Sequence, residues 1–226
     1  MNGEVKAVIF DLDGTLIIST VDFLKFRKRL LEFIKGKGAN MNDYALRELT
    51  VSMISKFESE MRNKGVPEDT IQSYLDDIDD FLNEIEMENI EQTKPVPGAK
   101  EILLNLRKKG IKIGILTRGC PAYAEKALTI AGLWGLADAV VSRDRKSGIA
   151  PKPSAEAAES LLKKMEVDRD RAVMLGDYSI DYICARNAGI KFYGISSSEE
   201  SLKNLNDCGC ENIVADFDEF RKRIGL

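Results

Sequence analysis

Two carboxylates two residues apart, Asp11 and Asp13, end the apolar run Val5-Lys6-Ala7-Val8-Ile9-Phe10 and precede Gly14-Thr15-Leu16. Such a run reads as a buried strand of a parallel sheet, so its last residue delivers Asp11 to a sheet edge. A carboxylate there can act as a nucleophile, and a second one beside it can handle a proton. Successive strand residues point to opposite faces, so Asp13 returns toward Asp11 only if the backbone curls, which Gly14 permits. Asp-Gly is also a common turn dipeptide. What favours chemistry is that three later segments, Leu116-Thr117, Pro151-Lys152-Pro153 and Leu175-Gly176-Asp177, carry polar residues suited to the same site.

The composition narrows that chemistry. Among 226 residues there is no histidine, which removes Ser-His-Asp and Cys-His nucleophile systems and histidine-ligated metals. Asp, Glu, Lys, Thr and Ser must carry the reaction, and carboxylates with a hard cation such as Mg²⁺ are the natural hypothesis. Of the four cysteines only Cys208 and Cys210 lie close together, with Cys120 and Cys184 far off, so reduced structural thiols are expected rather than a four-cysteine zinc site. Lys and Arg number 33 against 37 Asp and Glu, a net charge of −4 mixed along the chain, and no polybasic footprint for nucleic acid results. No run approaches the roughly 18 apolar residues of a membrane span, and no secretion signal opens the chain. A soluble, cytoplasmic protein without membrane or nucleic-acid partners is expected, as monomer or homodimer.

The elements that must position these residues are legible as short apolar runs: Val5 to Phe10, Lys112 to Leu116, Ala139 to Val141, Ala172 to Leu175, Phe192 to Ile195 and Ile213 to Ala215. Helical stretches separate the later runs, at Ala99 to Lys109, Pro121 to Ala131, Ser154 to Met165 and Ile180 to Asn187, with Gly110 and Gly189 just past two of them as helix stops. Strand-helix-strand order predicts an α/β, doubly wound parallel sheet of Rossmann-like type. In such sheets ligands bind at the carboxyl edge, where Asp11, Thr117 and Asp177 all fall. Of the hundred or so residues between the first two strands, about eighty carry no strand signals. Apolar residues repeat there at helical spacing: Phe23, Phe26, Leu30, Phe33; Ile54, Phe57, Met61; Ile71, Leu75, Ile78, Leu82, Ile85. Residues 18–94 therefore read as an inserted helical domain able to act as a lid, and 1–17 with 95–226 as the catalytic core.

Taken singly, each residue has a plain structural explanation. Thr117 caps the helix after it, Asp177 closes a turn, and Lys152 is a loop charge. Together they match, in order, the four motifs of the haloacid dehalogenase superfamily: Asp11-Leu12-Asp13-Gly14-Thr15-Leu16; Thr117; Lys152-Pro153; and Gly176-Asp177-Tyr178-Ser179-Ile180-Asp181 with Ala185-Arg186-Asn187-Ala188-Gly189. The chain resembles that superfamily, and its insertion resembles the helical cap of the phosphoglycolate phosphatase and β-phosphoglucomutase branch.

The resemblance implies a phosphatase of small phosphorylated metabolites working through an aspartyl phosphate. It makes Asp11 the nucleophile and Asp13 the general acid and base. It implies Mg²⁺ held by the Asp11 side chain, the Asp13 main-chain carbonyl and the Asp177 side chain. Thr117 would hydrogen-bond a phosphoryl oxygen and Lys152 would offset charge on nucleophile and phosphate. Asp181 would orient Lys152 or a metal-bound water, or else cap the following helix. Gly14 and Thr15 add contacts around the phosphate. Where relatives carry Asn after the Thr, this chain has Arg118-Gly119, and two readings of Arg118 stand side by side: a guanidinium near the substrate anion, or a solvent-facing charge. A sugar-phosphate phosphomutase is the alternative, ranked lower because the cap histidine of such mutases has no counterpart here. Asp13 argues against a dehalogenase, whose displacement needs no proton delivered to an alkoxide. In the insertion, Lys25, Arg27, Lys35 and Lys37 are the candidates for anion contacts, most of them readable as ordinary surface charges.

Overall fold

A computed structural model describes residues 4–196 and 198–226. The first apolar run forms β1 (Ala7–Phe10), with every residue buried. Both its edges are occupied by parallel strands, β4 (Lys112–Leu116) on one side and β6 (Ala172–Gly176) on the other. A strand flanked and covered in this way has no solvent face, which is why β1 is a continuous apolar run rather than an alternating one.

Between β1 and β4 the chain passes through β2 (Ile17–Ile18), α1 (Phe23–Gly36), α2 (Thr50–Asn63), α3 (Glu68–Met87), β3 (Lys94–Pro95) and α4 (Ala99–Lys108). After β4 come α5 (Pro121–Ile130), β5 (Ala139–Val141), α6 (Ala155–Met165), β6, α7 (Ser179–Asn187), β7 (Lys191–Ile195), α8 (Glu199–Asp207), β8 (Ile213–Val214) and α9 (Phe217–Arg223). The six-stranded sheet runs β5-β4-β1-β6-β7-β8, parallel at every described pairing. Its strand order reverses at β1, so the crevice expected of a doubly wound sheet opens at the carboxyl ends of β1 and its neighbours.

The two faces of β1 serve two cores. Ala7 and Ile9 join Ala172, Met174, Leu161, Met165, Cys184 and Phe192 under α6 and α7. On the other face Phe10 meets Phe217 and Phe220 of α9 edge-on, with ring centroids 6.5 and 6.4 Å apart.

The chain divides into two compact units, Met1–Ser19 with Glu91–Leu226, and Thr20–Ile90. Ile17–Ile18 pair antiparallel with Lys94–Pro95, a ladder that ties both segments to the first unit. The second unit has its own core, in which Phe26, Leu30 and Ile34 of α1, Met53, Phe57 and Met61 of α2, and Ile71, Leu75, Ile78, Phe81, Leu82 and Ile85 of α3 are buried together. Phe23 is exposed, because the apolar stripe of α1 begins one turn later. All four cysteines are free thiols, and among the described residues no helix is long and apolar enough to cross a membrane.

Candidate active site

Asp11 is the first residue past β1, fixed by its own N–H donating to the Leu175 carbonyl on β6 at 2.9 Å. The backbone then turns through Gly14 at φ +83°, a conformation that side chains rarely adopt. Gly14 is also required for space: a Cβ there would meet the Asp177 side chain, with Cγ only 2.7 Å away. The end of β6 thereby closes onto the Asp13-Gly14 turn, and the Thr15 hydroxyl donates to Asp177 Oδ1 at 3.4 Å.

Lys152 comes from the loop before α6, and its peptide bond to Pro153 is cis. Its side chain is 2% exposed, and its ammonium donates to Asp11 Oδ1 and, at 2.6 Å, to Asp181 Oδ1. Asp181 Oδ2 accepts the Tyr178 N–H at 3.2 Å, which closes the first turn of α7. Each oxygen of Asp181 thus has its own partner, the Lys152 ammonium on Oδ1 and the N–H at the start of α7 on Oδ2. Gly176 makes room for this, since a Cβ there would stand 2.6 Å from the Asp181 Cβ.

Thr117 follows β4, with its N–H bound to the Val141 carbonyl of β5. Its hydroxyl oxygen accepts the Gly119 N–H at 3.0 Å, whereas α5 is capped by Cys120, whose Sγ accepts the Tyr123 N–H. Thr117 thus shapes the turn before the helix rather than capping the helix itself. The Arg118 carbonyl accepts the Arg143 Nε, and the side chain of Arg118 is half-buried. In the second unit Lys25 pairs with Glu88 at 2.5 Å, and the Lys37 ammonium lies over the Phe33 and Tyr74 rings.

One further neighbour has no motif to mark it in the sequence. The Tyr123 hydroxyl, on the first turn of α5 and fully buried, donates to Asp13 Oδ1 at 2.5 Å.

The electrostatics follow from this crowding. Burial pushes the Asp11 carboxyl well above the ordinary carboxylate range, and the neighbouring Asp181 adds to this against the pull of Lys152. Burial, with Asp181 behind it, raises Asp177 to about 7. Burial also works against the charge of Lys152, yet Asp11 and Asp181 outweigh it and hold the ammonium protonated beyond its usual range. Carboxylate oxygens of Asp11, Asp177 and Asp181 all lie within 4.8 Å of one another. Several hard oxygen donors facing a single ammonium leave uncompensated negative charge, a donor set that fits Mg²⁺.

Residues 8–195 match the haloacid dehalogenase-like hydrolase family. The chain belongs to that family. Relatives include a glyceraldehyde 3-phosphate phosphatase of Pyrococcus abyssi, 28% identical over 83% of this chain and 79% of that protein. Pyrophosphatase PpaX of Halalkalibacterium halodurans is 24% identical over 83% of this chain and 82% of that protein. The fold is shared with a HAD family hydrolase from Deinococcus radiodurans R1 whose crystal structure holds phosphate and sodium. That chain aligns with a TM-score of 0.61 and 18% identity over 97% of this chain and 95% of its own. This member of the haloacid dehalogenase-like hydrolases is thus an enzyme whose motif residues, Asp11, Asp13, Lys152, Asp177 and Asp181, gather at one edge of its sheet.

Proposed function

We propose that the chain is a Mg²⁺-dependent phosphatase that hydrolyses a small phosphorylated metabolite through a phosphate ester on Asp11. The observation that carries this reading is the buried Asp11–Lys152–Asp181 arrangement with Asp177 beside it. In the first half-reaction an Asp11 oxygen attacks phosphorus in line. The new O–P bond forms as the bond to the leaving oxygen breaks, and Asp13 gives that oxygen its proton. In the second, Asp13 takes a proton from water, which attacks the same phosphorus and returns Asp11 with release of inorganic phosphate.

Lys152 offsets the charge gathered on Asp11 and the phosphoryl oxygens, and Asp181 keeps the ammonium aimed there. The Thr117 hydroxyl supplies a hydrogen bond to a phosphoryl oxygen. Asp11, Asp177 and the Asp13 main-chain carbonyl would hold the cation, as the family's pattern implies, while Asp181 is engaged on both oxygens. When bound, Mg²⁺ neutralises the repulsion between the Asp11 carboxylate and an anionic substrate. Residues 18–94 are proposed as the cap that sets which metabolite is accepted.

The test is released phosphate across a panel of phosphate monoesters plus pyrophosphate, with Mg²⁺ and with chelator, for wild type and Asp11→Asn. Turnover that needs both Mg²⁺ and Asp11 is expected. Hydrolysis that persists in Asp11→Asn would sink the reading.

A further inference from the structure

We propose that Ser201 and Asn204 of α8, both outside the four motifs, are positioning residues that aim the Asp177 carboxylate and thereby set the affinity for Mg²⁺. The proposal rests on the phosphatase reading above. The Ser201 hydroxyl donates to the Asp177 main-chain carbonyl at 2.7 Å, and Asn204 Oδ1 accepts the Ser179 N–H at 2.6 Å. The Asp177 carbonyl and the Tyr178 N–H belong to one planar peptide, and that N–H donates to Asp181 Oδ2 at 3.2 Å. This peptide is therefore held at both ends, and the next one at its N–H. Rotation about the Asp177 Cα–C bond breaks these contacts, so the backbone from which the carboxylate projects keeps one orientation.

The sequence of α8 is arranged to make this contact. Ser201, Asn204 and Leu205 stand three and four residues apart and share one helical face. Leu205 fills the space that Gly194 leaves on β7, where a Cβ would stand 2.8 Å from Leu205 Cδ1, and this seats the helix against the sheet. The Ser198 hydroxyl accepts the Ser201 N–H and fixes the first turn. Of the two buried residues of α8, one is Leu205 and the other is Ser201. Packing alone would favour an apolar side chain there, because burying a hydroxyl is costly unless it is hydrogen-bonded. The bond it makes goes to the residue that the phosphatase reading assigns to the cation. Groups that orient a metal ligand without touching the metal are worth about 10- to 100-fold in affinity.

The test is calorimetric titration of Mg²⁺ into substrate-free protein: wild type, Ser201→Ala, Asn204→Ala, the double variant, and Ser201→Thr, which keeps the hydroxyl. Kd for Mg²⁺ is expected to rise about 10-fold in each alanine variant and up to about 100-fold in the double variant, with Ser201→Thr near wild type. In turnover assays the alanine variants should need correspondingly more Mg²⁺ for half-maximal rate, while kcat at saturating Mg²⁺ stays close to that of wild type. A helix that only stabilises the fold would lower the melting temperature of these variants and leave Kd unchanged, which would overturn the proposal. A loss of kcat with the Mg²⁺ requirement unaltered would overturn it as well. Should the double variant fail to fold, the single variants, each keeping one of the two bonds, decide by the same criteria. In either of those outcomes a wild type that hydrolyses phosphate esters with Mg²⁺ leaves the phosphatase reading intact. A wild type that neither binds Mg²⁺ nor hydrolyses any phosphate ester overturns both.

Discussion

The carboxylate of Asp177 occupies the place where a side chain on Gly14 would stand, although 162 residues separate Thr15, the next residue, from Asp177. The turn after β1 and the end of β6 are therefore built to one another's shape. Gly14→Ala meets two obstacles, a φ of +83° and a Cβ driven against that carboxyl group. Left-handed backbone on a non-glycine residue costs about 1–3 kcal/mol. Since Asp177 has to move to relieve the clash, phosphatase turnover should fall by about 100-fold or more. Chemical denaturation and turnover measured on one preparation check this, and an alanine variant with wild-type turnover would show that the turn and Asp177 are not coupled.

The sequence made the sheet legible because a strand buried on both faces is a nearly continuous apolar run. Lys112–Leu116 and Ala139–Val141 appear at the predicted bounds, and Ala172–Gly176 and Lys191–Ile195 extend one residue beyond them. The ladder between Ile17–Ile18 and Lys94–Pro95 has no counterpart among the apolar runs of the sequence. Two residues per strand are too few for any periodicity to register. Helices α8 and α9 leave equally little trace, since Glu199–Asp207 carries only two buried residues and Phe217–Arg223 is barely two turns. At the site, motif spacing brought forward Asp11, Asp13, Lys152, Asp177 and Asp181. Tyr123 stayed hidden because an aromatic in an apolar helical stretch reads as core, and nothing local reveals that its hydroxyl meets a residue 110 positions away.

Lys152 stands between two buried carboxylates, so its removal has consequences for stability as well as rate. Lys152→Met keeps the bulk of the side chain but leaves Asp11 and Asp181 facing each other without a cation between them. Breaking a buried ion pair on one side costs about 3–5 kcal/mol. Turnover should drop by about 100-fold or more as transition-state charge loses its partner. Adding Asp181→Asn should restore part of the stability and none of the turnover. Urea unfolding of the single and double variants separates the two effects; a double variant no more stable than the single would contradict the ion-pair account.

The raised carboxyl groups give the cation-free protein a distinctive pH response. Asp177 titrates near 7 when folded against an ordinary 3.8, through burial and then Asp181, and Asp11 is displaced in the same direction. Between about pH 4 and pH 7 the folded chain thus holds protons that the unfolded chain has released, and stability falls as pH rises through this window. The slope is at most about 1.4 kcal/mol per pH unit for each such group. Lys152 stays protonated throughout, since its pKa is raised. Asp138, which burial raises but the Ile113 N–H and Lys112 pull lower overall, acts with the opposite sign only below this window. In chelator, the melting temperature should be lower at pH 7.5 than at pH 5.5 if these groups dominate. Millimolar Mg²⁺ should raise it most at pH 7.5, by binding the folded state alone. A melting temperature that Mg²⁺ leaves unmoved at pH 7.5 would remove the case for a cation at these carboxylates.

The helical unit has its own buried core, and Phe57 is at its centre. The ring is fully buried, with centroids 6.4 Å from Phe33 and 6.1 Å from Tyr74. Phe57→Ala removes a large apolar side chain where three helices meet, a change that costs about 3–5 kcal/mol. A unit of some seventy residues has little stability in reserve, so the loss should appear as local opening. Hydrogen exchange is expected to accelerate in peptides from Thr50–Asn63 and Glu68–Met87. Peptides from Ala7–Phe10 and Ala172–Gly176, whose core is formed by other residues, should exchange at wild-type rates. Equal acceleration in both sets would mean that the two cores unfold as one, and the division at Thr20 and Ile90 would then describe packing without describing stability.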